Sequence, residues 1–170
     1  MPARVAWAVD LLAVEPREQI LEIGCGPGIA VALVCAGLDG GRITALDRSA
    51  TAIERTRART ADHVAAGRAV LLNVDLAGFH GEPDQFDKAF AVNVNAFWTS
   101  PAERECEVLR RVLRPGGVLR LVYGEDPSGR ARDLGARIVP KLERYGFRGE
   151  VTGHPTGAMV CVTGWLLKAG

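Results

Sequence analysis

Three glycines stand at alternate positions in the chain, Gly24, Gly26 and Gly28, and the turn that they form narrows the possible folds more than any other feature. Residues 20–23 before the turn, three of them apolar, fit a strand, and residues 29–38 after it fit a helix. Because glycine has no Cβ, the backbone can turn tightly here and approach a ligand closely. The start of the following helix also presents unpaired N–H groups and a partial positive charge. This order of elements predicts an α/β fold with a ligand at the turn.

Strands and helices continue to alternate along the chain. The link between the last two predicted strands, residues 153–157, is too short for a parallel crossover, so that pair should be antiparallel. We therefore predict a doubly wound, mostly parallel, seven-stranded Rossmann-like sheet that ends in an antiparallel hairpin. Residues 1–170 are expected to form one domain, with 1–19 as an N-terminal helix and lead-in and 20–170 as the core. Further strands are predicted over 42–46, 69–74, 86–92, 118–123, 147–152 and 159–167, and helices over 3–14, 49–66, between 100 and 115, and around 134–142.

Local signals mark the predicted helix ends. Ser49 should cap the helix that follows the second strand. The stretch Ser100-Pro101-Ala102-Glu103 has the pattern of a capping box with proline at the first helical position. Pro140 lies inside the last helical pattern and should kink or divide that helix.

The composition fits a soluble globular protein. Apolar residues make up 48% of the 170 residues, and the formal net charge is +1, so no bulk field draws the chain to nucleic acid or an anionic membrane. No signal peptide and no run long enough to span a membrane are found, so we expect a cytoplasmic protein. The four cysteines have neither zinc-ligand nor disulfide-framework spacing, so we expect buried free thiols and no metal site.

Two acidic residues follow predicted strands. Asp47 ends the second strand, where a carboxylate can accept from both hydroxyls of a ribose, and Asp75 ends the third. Dehydrogenases place an acid at the position of Asp47 too, so that residue alone does not separate nicotinamide from other adenosyl cofactors. A dinucleotide fingerprint needs a glycine where this chain has Ile29, and Pro27 removes one N–H from the turn. These departures disfavour a nicotinamide-dependent oxidoreductase, which remains an alternative.

The stretch from Glu22 to Gly28 resembles the ExGxGxG motif of class I S-adenosylmethionine-dependent methyltransferases. Residues 86–93 resemble the fourth-strand segment of that family, and Leu113-Arg114-Pro115-Gly116-Gly117 resembles its LkPGG signature, so the likeness covers residues 18–123 in motif order. The resemblance implies S-adenosyl-L-methionine as cofactor, with Asp75 accepting from the adenine amino group. The implied cofactor-binding residues are Glu22, Gly24, Cys25, Gly26, Gly28, Asp47, Arg48, Asp75, Leu76 and Asn93.

The acceptor side is less defined. In an open α/β sheet, ligands bind beyond the carboxyl ends of the strands, which nominates Asn93 and Asn95, residues 123–126, and His154 in the closing hairpin. The two asparagines either contact a ligand or cap the next turn. The segment 93–98 lacks the (D/N)PP(Y/F) motif of many amino-methyltransferases. His154 is the candidate catalytic base because its ordinary pKa lies near neutrality, and a plain turn residue is the alternative.

Several possibilities for partners remain open. We expect a small-molecule acceptor, although the same resemblance fits a protein or RNA methyltransferase, and an inactive cofactor-binding partner subunit is a further alternative. The basic stripe of Arg48, Arg55, Arg57 and Arg59 is interrupted by acidic residues and has no interleaved aromatics, so nucleic acid is disfavoured. Without long insertions, the acceptor site is either open or completed by the acceptor or a second subunit, so a homo-oligomer is compatible with the sequence.

Overall fold

The computed structural model describes residues 1–124 and 131–167 of the chain. Within them, strands and helices alternate as the sequence predicts. The strands are β1 (Gln19–Ile23), β2 (Arg42–Leu46), β3 (Ala69–Leu72), β4 (Phe86–Val92), β5 (Leu113–Gly124), β6 (Phe147–Gly153) and β7 (Met159–Leu166). The helices are α1 (Ala3–Leu12), α2 (Ile29–Gly37), α3 (Ala50–Arg59), α4 (Ala61–Ala65), α5 (Ala96–Thr99), α6 (Glu103–Val112) and α7 (Ala131–Arg144).

All seven strands belong to one sheet in the order β3-β2-β1-β4-β5-β7-β6. The pairs from β3 to β5 are parallel, and β7 is antiparallel to both of its neighbours. The predicted fold class is therefore confirmed, including the closing hairpin. The strand order reverses between β1 and β4, which places a ligand crevice beyond their carboxyl ends.

Helices cover both faces of the sheet. On one face, Leu21 and Ile23 of β1 pack in a core with Leu109 of α6 and Leu142 of α7, whereas Ile20 packs on the other face with residues of α1, α2 and α3. Burial on both faces explains why most positions of the central strands are apolar. Truncating a fully buried side chain such as Leu109 to Ala would destabilise the fold by about 2–5 kcal/mol.

The predicted capping box at Ser100 is wrong. The helix α6 begins only at Glu103, after Ala102 in a left-handed conformation with φ 55°, and no side chain caps it. The Ser100 hydroxyl instead donates to the Ala96 carbonyl at 2.7 Å and accepts from the Ala102 N–H at 3.2 Å. The hydroxyl is therefore bonded at the end of α5, a helix that the sequence did not predict. Ser49, by contrast, caps α3 as predicted, accepting from the Ala52 N–H at 3.3 Å.

Three other boundaries differ from the prediction. β3 ends at Leu72, because the chain then turns. The helix predicted over 49–66 is divided at Thr60, whose hydroxyl donates to the Thr56 carbonyl at 2.8 Å. Pro140 does not divide α7, which runs through it and is held by the buried side chains of Ile138 and Leu142.

The strand β5 starts earlier than predicted and contains the proline-glycine segment expected to precede it. Leu113 pairs with Phe86, and the pairing shifts before Val118 resumes it opposite Lys88. Gly116 has φ 81°, the left-handed conformation that glycine adopts without strain. The proline-glycine segment is therefore an irregularity within β5. In the part of the chain that the structure describes, no helix has the length and apolar character to cross a membrane.

Candidate cofactor site

A cavity of about 670 Å³ opens beyond the carboxyl ends of the parallel strands. Six of the ten predicted cofactor residues line it, and the other four lie beside or beneath it. The six are Gly24, Asp47, Arg48, Asp75, Leu76 and Asn93. The four that do not line it are Glu22, Cys25, Gly26 and Gly28.

The glycine loop, residues 24–28, uses its own N–H groups inside the protein. The Leu46 carbonyl accepts from Gly24 at 2.8 Å and from Cys25 at 2.9 Å, and the Cys25 carbonyl accepts from Gly28 at 3.0 Å. The Gly26 N–H donates to Asp47 Oδ2 at 2.9 Å. Since proline has no N–H, the loop contributes shape to a ligand site, and free donors come only from the first turn of α2.

The three glycines differ in what an added Cβ would meet. A Cβ on Gly28 would stand 2.7 Å from Thr56 Cγ2, and one on Gly24 would stand 2.8 Å from Val94 Cγ2, so both positions are closed to larger residues by packing. A Cβ on Gly26 would meet nothing within 4 Å. The backbone beside Gly26 is therefore open for a ligand to approach.

Asp47 fits a ribose-binding role. Its carboxylate is half-buried and accepts from the Gly26 N–H through Oδ2 and from the Ser49 N–H through Oδ1, both at 2.9 Å. A carboxylate offers about four acceptor sites, so two bonds leave about two for hydroxyl groups. Asp47 can therefore bind a ribose without releasing the loop.

Glu22 lies beneath the glycine loop and is 3% exposed. Its Oε2 has no hydrogen-bond partner, and burial, assisted by the nearby Asp47 charge, raises the pKa of the carboxyl well above its ordinary value of 4.5. An unpartnered buried polar atom costs about 1–3 kcal/mol, so it needs a reason. A cationic ligand portion near the loop would favour the ionised carboxylate, which fits an adenosyl cofactor that carries an ammonium group.

The remaining predicted cofactor residues differ in environment. Leu76 is buried in the cavity wall, whereas Asp75 is exposed and accepts from the Gly78 N–H at 2.8 Å. Arg48 is exposed at the rim. Burial raises the pKa of the Cys25 thiol to about 11, so the thiol stays protonated at neutral pH and is a poor nucleophile. All four cysteines are buried and unpaired, as predicted.

The two asparagines after β4 have different surroundings. Asn93 has φ 55°, and its Oδ1 accepts from the Gly124 N–H at 3.2 Å, which ties the segment to β5. Asn95 lines the cavity and starts α5 without any side-chain capping bond. The capping interpretation of Asn95 is therefore wrong, and its contact with a ligand stays a prediction.

His154 lies outside the set of cavity-lining residues. Its ring meets Trp7 of α1 edge-on, with centroids 5.1 Å apart at 84°. The Thr156 N–H donates to Nδ1 at 3.2 Å, and the Thr156 hydroxyl lies 2.8 Å from the same nitrogen. Because a backbone N–H can only donate, Nδ1 is the acceptor and the neutral ring carries its proton on Nε2. The catalytic role of His154 stays a prediction.

The residues nominated after β5 are placed only in part. Tyr123 is buried, and its hydroxyl donates to the Val94 carbonyl at 2.9 Å, so it supports the cavity wall from behind. Burial raises the pKa of the Tyr123 phenol, which keeps that hydroxyl a donor. Glu125 and Asp126 lie outside the described residues.

One wall of the cavity was not predicted. Phe97, Thr99, Ser100 and Glu105 line it from α5 and α6. Lys141 of α7 fixes this wall by donating to the Phe97 carbonyl at 3.0 Å and the Ser100 carbonyl at 2.6 Å. The sequence did not reveal this wall because α5, with four residues, is too short to show a helical periodicity. Lys141, which holds the wall, also lies more than 40 residues along the chain.

A doubly wound sheet with a glycine loop, an acid after β2 and a cavity at the reversal of strand order defines a class I adenosyl-cofactor fold. A family model described as a methyltransferase domain matches residues 20–117. The chain belongs to this family of S-adenosylmethionine-dependent methyltransferases, and S-adenosylmethionine is the cofactor that its site is built to hold. Family membership also removes the nicotinamide alternative.

Known proteins agree with this assignment. The chain is 38% identical over 130 residues to protein-L-isoaspartate O-methyltransferase of Methylorubrum populi, covering 75% of this chain and 54% of that protein. It is 28% identical over 149 residues to trans-aconitate 2-methyltransferase of Paracidovorax citrulli, covering 84% and 55%. The chain thus spans about half the length of these relatives. A methyltransferase solved with the Trm112 activator of Haloferax volcanii superposes with a TM-score of 0.80 at 16% identity, covering 98% of this chain and 90% of that one.

Proposed function

We propose that this chain transfers a methyl group from S-adenosylmethionine to a small molecule. The observation that carries the proposal is a cavity lined by Gly24 of the glycine loop and by the Asp47 carboxylate, which keeps free acceptor sites, with the unpartnered Glu22 oxygen buried beneath the loop. A volume of about 670 Å³ lies within the roughly 300–1,000 Å³ range of small-molecule sites.

The residues of the cavity divide between two tasks in this proposal. When bound, S-adenosylmethionine supplies an electrophilic methyl group. Asp47 accepts from the ribose hydroxyls, and the apolar side chains of Leu46 and Leu76 pack against the adenine ring. Asn95 and Thr99 orient the acceptor. Holding the reacting atoms about 3–3.5 Å apart and in line lowers much of the barrier, and a base is needed only if the acceptor must lose a proton.

The charges of the cavity favour a neutral or cationic acceptor. Its wall carries Glu105 in addition to Asp47 and Asp75, and among the described residues that line it Arg48, at the rim, is the one cationic residue. A negatively charged acceptor would be repelled by these carboxylates. We therefore expect this chain to disfavour polycarboxylates, even though one relative is named for trans-aconitate.

The test is transfer of labelled methyl groups to a panel of small amines, phenols, alcohols and carboxylates, with unfolded protein as a macromolecular acceptor. We expect product from a neutral or cationic small molecule. Asp47→Ala should lower transfer at limiting cofactor by about ten- to 150-fold. Asp39→Ala, which removes an exposed carboxylate outside the cavity, should leave transfer unchanged. Transfer to protein with none to any small molecule would overturn the proposal.

A second candidate is a subunit that needs an activating partner. It is favoured because the Haloferax volcanii neighbour was solved with a methyltransferase activator. Without its partner, such a chain would bind the cofactor but transfer no methyl group. The labelled-methyl assay therefore separates this candidate from an enzyme that is active by itself. The four unpaired cysteines support a further proposal, that the protein works in the reducing cytoplasm.

A further inference from the structure

The glycine loop is held from outside by α3. Three successive peptide groups of the loop each have one anchor. The Gly26 N–H donates to Asp47, the Gly26 carbonyl accepts from the Thr56 hydroxyl at 2.9 Å, and the Pro27 carbonyl accepts from Arg59 Nε at 2.8 Å. Two of the three anchors therefore come from one helix, which does not itself line the cavity.

We infer that Thr56 is a positioning residue for cofactor binding, which fixes the conformation of the glycine loop before the cofactor arrives. The inference rests on the proposed cofactor site. Thr56 and Asp47 grip the two peptide groups on either side of the Gly26 Cα, so together they fix both backbone dihedrals of that residue. The Gly26–Pro27 peptide has no N–H, so its carbonyl is the one backbone group by which it can be held.

The hydrogen bonds around Thr56 have one consistent direction. The Cys25 Sγ lies 3.6 Å from the Thr56 hydroxyl oxygen. Because the single hydroxyl hydrogen of Thr56 is donated to the Gly26 carbonyl, the Cys25 thiol must be the donor to the Thr56 oxygen, and its raised pKa of about 11 keeps it protonated for that role. The thiol, the hydroxyl and the carbonyl thus form a short chain of two hydrogen bonds, in which each group has a partner.

Thr56 also fits the loop sterically. Its side chain is fully buried, and a Cβ placed on Gly28 would fall 2.8 Å from the Thr56 hydroxyl oxygen. The Thr56 side chain therefore fills the space that a Cβ on residue 28 would need, so Thr56 and Gly28 fit each other. Because Thr56 is fully buried, it has no access to substrate. Because it contacts the glycine loop at three positions, it acts on the shape of the loop.

A pre-organised loop binds more tightly because less conformational freedom is lost on binding. Replacing Thr56 by valine keeps the shape of the side chain and removes the hydroxyl. Affinity for S-adenosylhomocysteine should fall about three- to tenfold, the range that one hydrogen bond supplies. Thr56→Ser keeps the hydroxyl and should restore affinity to near that of the wild type.

Thr60→Val is the matched control. Thr60 is equally buried and its hydroxyl donates to the Thr56 carbonyl, so the same chemical change is made one turn along without touching the loop. Affinities are measured by calorimetry, and urea unfolding of the unliganded proteins gives the stability of each variant. We expect Thr56→Val and Thr60→Val to lose similar stability, and only Thr56→Val to lose affinity.

The outcomes separate the inference from the function on which it rests. Unchanged affinity in Thr56→Val, or equal losses of affinity in Thr56→Val and Thr60→Val, would overturn the positioning role. If the wild type still binds S-adenosylhomocysteine in that case, the cofactor site itself is not contradicted. Failure of the wild type to bind S-adenosylhomocysteine would instead contradict the cofactor site itself. Should Thr56→Val fail to fold, Arg59→Gln tests the neighbouring anchor, with the exposed Arg57→Gln as its control.

Discussion

The Gly26 N–H donates to Asp47 Oδ2 at 2.9 Å, which joins the end of β2 to the glycine loop that follows β1. One carboxylate therefore both shapes the loop and offers its remaining lone pairs to the cavity. The two features that the sequence suggested separately, a glycine motif and an acid 19 residues beyond Gly28, form one structural unit.

Replacing Asp47 by alanine removes this link and the acceptor for the ribose. We expect a loss of about 1.5–3 kcal/mol of cofactor binding free energy, as for hydrogen bonds to a charged group. Affinity for S-adenosylhomocysteine would fall about ten- to 150-fold in calorimetry. A folded Asp47→Ala protein that binds as tightly as the Asp39→Ala control would reject the role.

Glu22 should make stability depend on pH. Because its folded-state pKa is raised by burial and by Asp47, the folded protein keeps a proton that the unfolded chain releases above pH 4.5. The free energy of unfolding should therefore fall as pH rises from about 5 toward the raised pKa, by at most about 1.4 kcal/mol per pH unit.

The Glu22→Gln variant cannot release this proton, so its stability should fall less steeply over the same pH range. Urea unfolding at several pH values measures both curves. Parallel curves for the wild type and Glu22→Gln would show that Glu22 keeps an ordinary pKa in the folded protein.

The glycine loop should respond unequally to added methyl groups. Gly26→Ala forces alanine into a left-handed conformation, which costs about 1–2 kcal/mol, but meets no atom within 4 Å. Gly28→Ala has the same backbone strain and also overlaps Thr56, which adds about 1–3 kcal/mol of overpacking. Urea unfolding should find Gly28→Ala the less stable variant, and equal stabilities would contradict the packing described here.

His154 can be tested as base or turn residue. Its unprotonated nitrogen is occupied by Thr156, so we expect His154→Ala to leave turnover within a few-fold and cofactor affinity unchanged. If His154 is a general base, its removal would lower turnover by about 10²–10⁴-fold. Steady-state rates with the acceptor found in the screen distinguish the two roles.

The sheet, its hairpin and six of the residues that line the cavity could be predicted because they depend on local order: apolar runs, a glycine turn and acids at strand ends. The wall formed by α5 and α6 could not, since it is held by Lys141 from an element far along the chain. The role of Ser100 was mistaken for the same reason, because its hydroxyl finds a partner in a helix too short to leave a periodic signal.

The most direct test of the central claim is calorimetric titration of the purified chain with S-adenosylhomocysteine and, separately, with NAD. We predict one binding site for S-adenosylhomocysteine and no heat of binding with NAD. At a hundredfold excess over its dissociation constant, the adenosyl ligand should also stabilise the fold by about 2.7 kcal/mol. Binding of NAD without binding of S-adenosylhomocysteine would contradict the account.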